Sequence, residues 1–204
     1  MPYILGLTGN IASGKTTVGL ILLELGLSTY IDADAVVHEL YLPGQALPGE
    51  LAKAFGPGVL ESDGGVDRRA LGAIVFNSPE RLRQLEAIVH PAVREALLSR
   101  LRALGPDEIG ALDAVKLVES GYAPFCHGLW VVTCPPEIQL QRLIQQRGLT
   151  EEEARARLAA QPPVEAKLPL ATAVIHNDGS LESLRQQVTD AWRAFKASLA
   201  EQTP

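Results

Sequence analysis

Residues 9–16 read Gly9-Asn10-Ile11-Ala12-Ser13-Gly14-Lys15-Thr16, a full match to G-x-x-x-x-G-K-[ST]. The chemistry open to that spacing is the capture of a chain of phosphates. Successive backbone N–H groups and the first turn of a following helix make an anion site, and the glycines allow a close approach that a Cβ would obstruct. Lys15 is then expected to reach the β and γ phosphates, and the Thr16 hydroxyl to join the shell of a Mg²⁺ ion. The bland alternative is a glycine-rich turn with a solvated lysine. It loses ground because a short apolar run, Tyr3–Thr8, leads in, and Val18, Ile21, Leu22 and Leu25 lead out at helical spacing.

Other residues offer chemistry with less specificity. Asp32 and Asp34 close the next strand-like run, two apart and hence on one side of an extended segment, although Asp34 also suits a helix cap. Arg68 and Arg69 stand at an expected helix start, against the dipole, which gives modest support for anion binding there. Arg142 and Arg147 are about 140° apart around one helix, so both can face a phosphate only near a helix end, which Gly148 supplies. Arg155 and Arg157 are about 200° apart, so only one of them should face a nucleotide. His90 precedes Pro91 and on position alone is a packing or capping residue; His38, His127 and His176 form no recognisable metal constellation.

The class of nucleotide chemistry is narrowed by what the loop lacks. None of the three asparagines, Asn10, Asn77 and Asn177, is followed by lysine, so the Asn-Lys-x-Asp guanine signature is missing. Asp107-Glu108-Ile109-Gly110 fits D-x-x-G but precedes an apolar run instead of following one. A switch GTPase is therefore disfavoured. A small-molecule kinase needs an acceptor domain beside the phosphates and a basic lid over them, and the chain has candidates for both.

The elements that must position these groups follow from periodicity and breakers. Strands are expected at Tyr3–Thr8, 27–32, 109–118, 129–133 and Ala173–His176, alternating with helices at 18–25, 33–41, 138–147, from Thr150 toward Pro162, and 181–199. Residues 47–104 change character, with helical patterns at 51–55, 71–76 and 82–104 between glycine-rich turns, and Pro91 is expected to kink or split the last of them after His90. Alternating strands and helices imply a parallel sheet covered on both faces, with ligands at the carboxyl ends of its strands.

Composition sets the frame. A chain of 204 residues that is 47% hydrophobic and 21% charged can bury a core, which excludes intrinsic disorder and low-complexity scaffolds. Its net charge of −6 disfavours a nucleic-acid binder. Cys126 and Cys134 are too few for a disulfide framework, and no signal-like leader or apolar run of about 20 residues is seen. A soluble cytoplasmic protein, without membrane or nucleic-acid partners, is expected.

With the motifs in order, the sequence resembles the dephospho-CoA kinases. The likeness runs through the phosphate loop, Asp32-Ala33-Asp34, Pro43-Gly44, Phe55-Gly56, Asp67-Arg68-Arg69-Ala70-Leu71, Val75-Phe76 and His90-Pro91. It continues in Leu117-Val118-Glu119, residues 139–143 with Arg147, residues 157–161, Lys167 and Val174-Ile175-His176-Asn177. Where the family has Pro-Leu-Leu before Phe-Glu, this chain has Val115-Lys116-Leu117 before Val118-Glu119, and Asn10 and Ala12 stand where glycine is frequent.

The resemblance implies an α/β fold: a P-loop core over 1–42, 105–135 and 168–204, a helical acceptor domain over 43–104, and a lid over 136–167. It implies transfer of phosphate from ATP, with Mg²⁺, to the 3′-hydroxyl of dephospho-CoA. Lys15, Arg142 and Arg147 would act on the migrating phosphoryl group and Asp34 on the acceptor hydroxyl. The nucleotide would lie on Gly9, Asn10, Ile11, Ala12, Ser13, Gly14, Lys15, Thr16, Thr17, Arg142, Arg147, Arg157 and Asn177, with Thr16 on the metal. The acceptor would meet Asp32, Asp34, Arg69, His90 and Glu119. Two other readings stay open at this point: a kinase of another small acceptor such as a nucleoside monophosphate, and a nucleotide-dependent regulatory module without transfer.

Overall fold

The computed structural model describes residues 2–76 and 78–201; Asn77 and the outermost residues of the expected core, Met1 and 202–204, lie outside them. Five strands, β1 (Tyr3–Thr8), β2 (Thr29–Asp32), β3 (Ile109–Asp113), β4 (Gly128–Thr133) and β5 (Ala173–His176), form one sheet in the order β2-β3-β1-β4-β5. Pairing is parallel in β1·β3, β1·β4 and β4·β5, with Leu7 opposite Asp113 on one side and Trp130 on the other. The expected α/β fold with a parallel sheet flanked by helices is the fold observed.

Hydrophobic burial explains the centre of the sheet. Leu5 and Leu7 of β1 are fully buried, and α1 (Lys15–Glu24) and α8 (Leu181–Glu201) cover their face. Val18, Ile21 and Leu22 of α1 join Leu184, Val188, Trp192, Phe195 and Leu199 of α8 in one cluster with Trp130, Val132 and Ile175. Trp192 stacks on Phe195 at 6.0 Å between ring centroids, and its indole N–H donates to the Leu25 carbonyl at 3.0 Å, so the ring is buried without an orphaned donor. Each such apolar side chain contributes about 1.5–3 kcal/mol on burial, enough to hold β1 and the loop that leaves it.

By compactness the chain divides into a unit of residues 1–30 with 104–204 and a unit of residues 31–103. The division falls inside β2, so that α2 (Ala33–Leu40) groups with the helical segment, earlier than the expected boundary at residue 43. In the second unit α2, α3 (Ala46–Phe55) and α4 (Arg68–Val75) pack on α5 (Pro79–Arg102), whose Val89, Val93, Leu97 and Leu101 make a buried stripe at a four-residue spacing.

That stripe corrects one expectation. Pro91 does not split the helix: α5 is continuous from Pro79 to Arg102. The proline sits on the exposed side, while the buried stripe runs past it on both sides, and packing outweighs the roughly 3 kcal/mol that an interior proline costs. The strand expected over 109–118 is also shorter. It ends at Asp113, and the chain turns through residues 115–121 instead.

The first unit is completed by α6 (Pro136–Arg147), closed by Gly148 in the left-handed conformation, and α7 (Glu151–Ala159), opened by a capping box between Thr150 and Glu153. Hydrogen bonds from Thr150 hold the Glu153 carboxyl below its usual range. No helix among the described residues is long and apolar enough to cross a membrane.

Candidate active site

The loop between β1 and α1 has the backbone its sequence demands. Gly9 and Gly14 have φ of 148° and 99°, and a Cβ would collide with the Val132 carbonyl oxygen at Gly9 and with the Asn177 amide at Gly14. Ala12 also lies in the left-handed region, at φ 58°, where a side chain carries strain. The Ser13 hydroxyl is buried and has no hydrogen-bond partner among the described residues, an orphan polar atom in the wall of the loop.

Around this loop is a cavity of about 340 Å³ lined by Ala12, Gly14, Lys15, Thr16, Thr17, Arg142, Gln146, Arg147, Asn177, Gly179, Leu181 and Leu184. The sequence separates these residues by up to 172 positions, and parallel strand order gathers them at the carboxyl ends of β1, β4 and β5. Arg142 bonds the loop from its carbonyl side: one guanidinium nitrogen donates to Ala12 O at 3.2 Å and Ser13 O at 3.3 Å, the other to Asn177 O and Oδ1, both at 3.3 Å. The Asn177 amide donates to Ser13 O at 2.8 Å. Arg147, the last residue of α6, is exposed and makes no ion pair among the described residues, which leaves its guanidinium available to a ligand.

The remaining loop residues face a different neighbour. Asn10 Nδ2 donates to Pro162 O at 3.2 Å, and the Ile11 N–H donates to Gln161 Oε1 at 3.3 Å. An N–H expected to cradle phosphate is thus engaged by a side-chain oxygen. Arg157 lies exposed on α7, where it interacts with Glu153, and is not among the cavity's residues; Arg155 pairs with Glu151 at 2.6 Å.

Two residues central to this arrangement carry no role in the sequence reading: Asp113, and Lys167, which enters there only as part of the family likeness. Asp113, 3% exposed at the end of β3, places Oδ1 3.8 Å from Lys15 Nζ and accepts a hydrogen bond from the Tyr30 hydroxyl. A carboxylate closing an apolar run is its signal, masked in the sequence by the apolar residues that continue to Val118. Lys167 is 1% exposed; its ammonium donates to Val115 O and lies 3.4 Å from Glu119 Oε1. Burial pulls its pKa down, Glu119 opposes that, and Lys15 adds to it. Glu119, expected at the acceptor, therefore has a protein partner, and Lys116 is exposed.

In the helical unit, Asp32 is the cap of α2: its Oδ1 accepts from the N–H groups of Asp34 at 2.8 Å and Ala35 at 3.2 Å. Asp34 is already helical and exposed, so the extended geometry expected for this pair does not hold and the cap role belongs to Asp32. Arg68 and Arg69 begin α4 behind the Asp67 cap, and both line a cavity of about 260 Å³ with His38, Tyr41 and Asp63. Burial raises the Tyr41 pKa, partly offset by the Arg68 guanidinium. His90 is exposed on α5.

Among the described residues no three His, Cys, Asp or Glu side chains cluster to hold a metal. The donors beside the loop, the exposed Thr16 hydroxyl and the Asp113 carboxylate next to Lys15, fit an ion such as Mg²⁺. That ion takes one or two protein oxygens and completes its shell with phosphate and water.

Comparison with known proteins gives the family. The sequence profile of the dephospho-CoA kinase family matches residues 3–183. The chain is 48% identical over 194 residues to the dephospho-CoA kinase of Symbiobacterium thermophilum, covering 94% of this chain and 80% of that protein. Among solved structures, a protein from Thermus thermophilus is 40% identical with a TM-score of 0.80, over 100% of this chain and 99% of that one. The dephospho-CoA kinase from Campylobacter jejuni is 30% identical with a TM-score of 0.64, over 95% and 97% of the two chains. With its profile match and its relatives both extending over most of its length, the chain belongs to the dephospho-CoA kinase family.

Proposed function

We propose that this chain is a cytoplasmic kinase that transfers the γ-phosphoryl group of ATP to the 3′-hydroxyl of dephospho-CoA, giving coenzyme A and ADP. The observation that carries the reading is the loop itself, with Lys15, Thr16 and the exposed Arg147 lining one cavity in a member of this family. The cysteines are free, as a reducing compartment requires.

The chemistry is mostly positioning and charge neutralisation. The acceptor oxygen bonds to the γ phosphorus while the bond from that phosphorus to the β–γ bridging oxygen breaks, and ADP leaves with the electron pair. Lys15 and Arg147 offset the charge on the migrating group, which is worth more here than in water because the site is partly buried. Arg142 acts one step behind, holding the carbonyls of Ala12 and Ser13 so that the loop's N–H groups face the phosphates. Asp34 orients the 3′-hydroxyl and receives its proton late, when a weak base suffices. Mg²⁺, held through Thr16 and Asp113, would neutralise charge on the β and γ phosphates when bound.

Asp32, Asp34, Arg69, His90 and Glu119 would meet the acceptor. Residues 136–167 would form the lid that carries Arg142, Arg147 and Arg157. Incubation with ATP, Mg²⁺ and a panel of dephospho-CoA, nucleoside monophosphates and other alcohols, followed by mass analysis, tests the reading. Gain of one phosphoryl group by dephospho-CoA alone is expected; preferential phosphorylation of another acceptor would overturn it.

A further inference from the structure

Lys167 is a buried cation that the proposed transfer does not use. An ammonium at 1% exposure is costly, and a residue that merely filled this space would be better apolar. What the charge holds is specific. Its Nζ donates to the carbonyl of Val115 and pairs with Glu119 Oε1 at 3.4 Å. The same carbonyl accepts a second hydrogen bond, from Thr8 Oγ1 at 3.1 Å. Thr8 is fully buried, ends β1 and directly precedes Gly9; Val115 follows Asp113 by two residues. One carbonyl therefore joins the strand that opens the phosphate loop to the strand end that carries the partner of Lys15. The segment around Lys167 touches the loop a second time, through Pro162 O on Asn10 and Gln161 Oε1 on the Ile11 N–H.

We propose that Lys167 is a positioning residue: held by Glu119, it pins the Val115 carbonyl and so fixes the end of β3 and the entrance of the phosphate loop relative to each other. It lines neither the cavity at the phosphate loop nor that of the helical unit. The Val115-Lys116 sequence, which departs from the family pattern, lies at the pinned point, and Lys116 itself points to solvent, so Lys167 supplies the local charge that matters. The proposal rests on the kinase reading for its kinetic consequence and on the hydrogen bonds alone for its structural one.

The variant to make is Lys167→Met, which keeps the length of the side chain and removes its charge and donors. Glu119 is 37% exposed and can be solvated once alone, so the urea midpoint is expected to stay at the wild-type value or rise. Turnover of ATP with dephospho-CoA should fall by about tenfold to a hundredfold, the cost of slight misplacement, with both KM values within about threefold of wild type. Amide hydrogen exchange should accelerate at residues 9–14 and 114–116. Wild-type turnover and exchange in a folded Lys167→Met protein would overturn the proposal, as would a loss confined to the dephospho-CoA KM. If Lys167→Met does not fold, Glu119→Gln carries the test, with a smaller fall in kcat and faster exchange over the same residues; a change only in the dephospho-CoA KM would overturn the pinning role there too. Wild-type protein inactive on dephospho-CoA would refute the kinase reading, while the exchange experiment would still decide the fate of Lys167.

Discussion

Lys15 Nζ lies 3.8 Å from Asp113 Oδ1, and the two side chains are only 11% and 5% exposed. The lysine of the phosphate loop is thus paired with a carboxylate at the neighbouring strand end. A triphosphate entering the loop must share that ammonium with Asp113, and a divalent cation beside Asp113 changes repulsion into attraction. Asp113→Asn is therefore expected to act in opposite directions on two measurements. ATP binding without Mg²⁺ should tighten by about fivefold or more, since a nearby like charge costs about 1–4 kcal/mol at such distances. Turnover with Mg²⁺ should fall. Calorimetric titration and steady-state assay check both, and weaker Mg²⁺-free binding would contradict the assignment.

Asp34→Asn tests the carboxylate proposed to act on the acceptor hydroxyl. The helix cap is Asp32, so asparagine at position 34 removes a charge without removing a cap, and the unfolding midpoint should hardly move. A fall in kcat of about 10²-fold or more is expected with both substrates still bound. Wild-type turnover would retire Asp34 from the mechanism.

Arg69→Ala should raise the KM for dephospho-CoA far more than that for ATP, because Arg69 lines the cavity of the helical unit and belongs to none of the walls of the loop cavity. Initial-rate kinetics with each substrate varied in turn make the comparison. Equal small effects would mean that the guanidinium is ordinary surface charge at the start of α4.

Ala12→Gly probes strain in the loop. At φ 58° a side chain costs about 1–2 kcal/mol, while glycine adds about 0.4–1 kcal/mol of unfolded-state entropy, so a net gain of up to about 1.6 kcal/mol is expected. Urea unfolding measures it; a clear drop in the midpoint would show that Ala12 is not strained in solution.

The strands and the phosphate loop were legible because their signals are local. Apolar runs ended by Gly9 and by Cys134-Pro135-Pro136 mark β1 and β4, and the apolar run Ala173–His176 coincides with β5. Local reasoning failed where tertiary packing or a distant partner decides. Pro91 breaks an isolated helix, yet the buried stripe from Val89 to Leu101 carries α5 through it. Asp32 and Asp34 look equivalent in sequence, and only the start of α2 at Ala33 makes one the cap and the other an exposed carboxylate in the first helical turn. Asp113 and Lys167 gain their meaning from Lys15 and Val115, residues 98 and 52 positions away, which no spacing rule connects.

The most direct test of the central claim follows the γ-phosphoryl group itself. ATP labelled with ¹⁸O in the γ-phosphate is mixed with dephospho-CoA, Mg²⁺ and either the wild-type protein or Lys15→Ala, and the product is analysed by mass and phosphorus NMR. The expected result is labelled phosphate on the 3′-oxygen of the acceptor at a rate about 10²-fold or more higher for the wild type, the loss typical of removing one transition-state charge. Label remaining in ATP with the wild-type protein, or transfer by a folded Lys15→Ala protein at the wild-type rate, would contradict it.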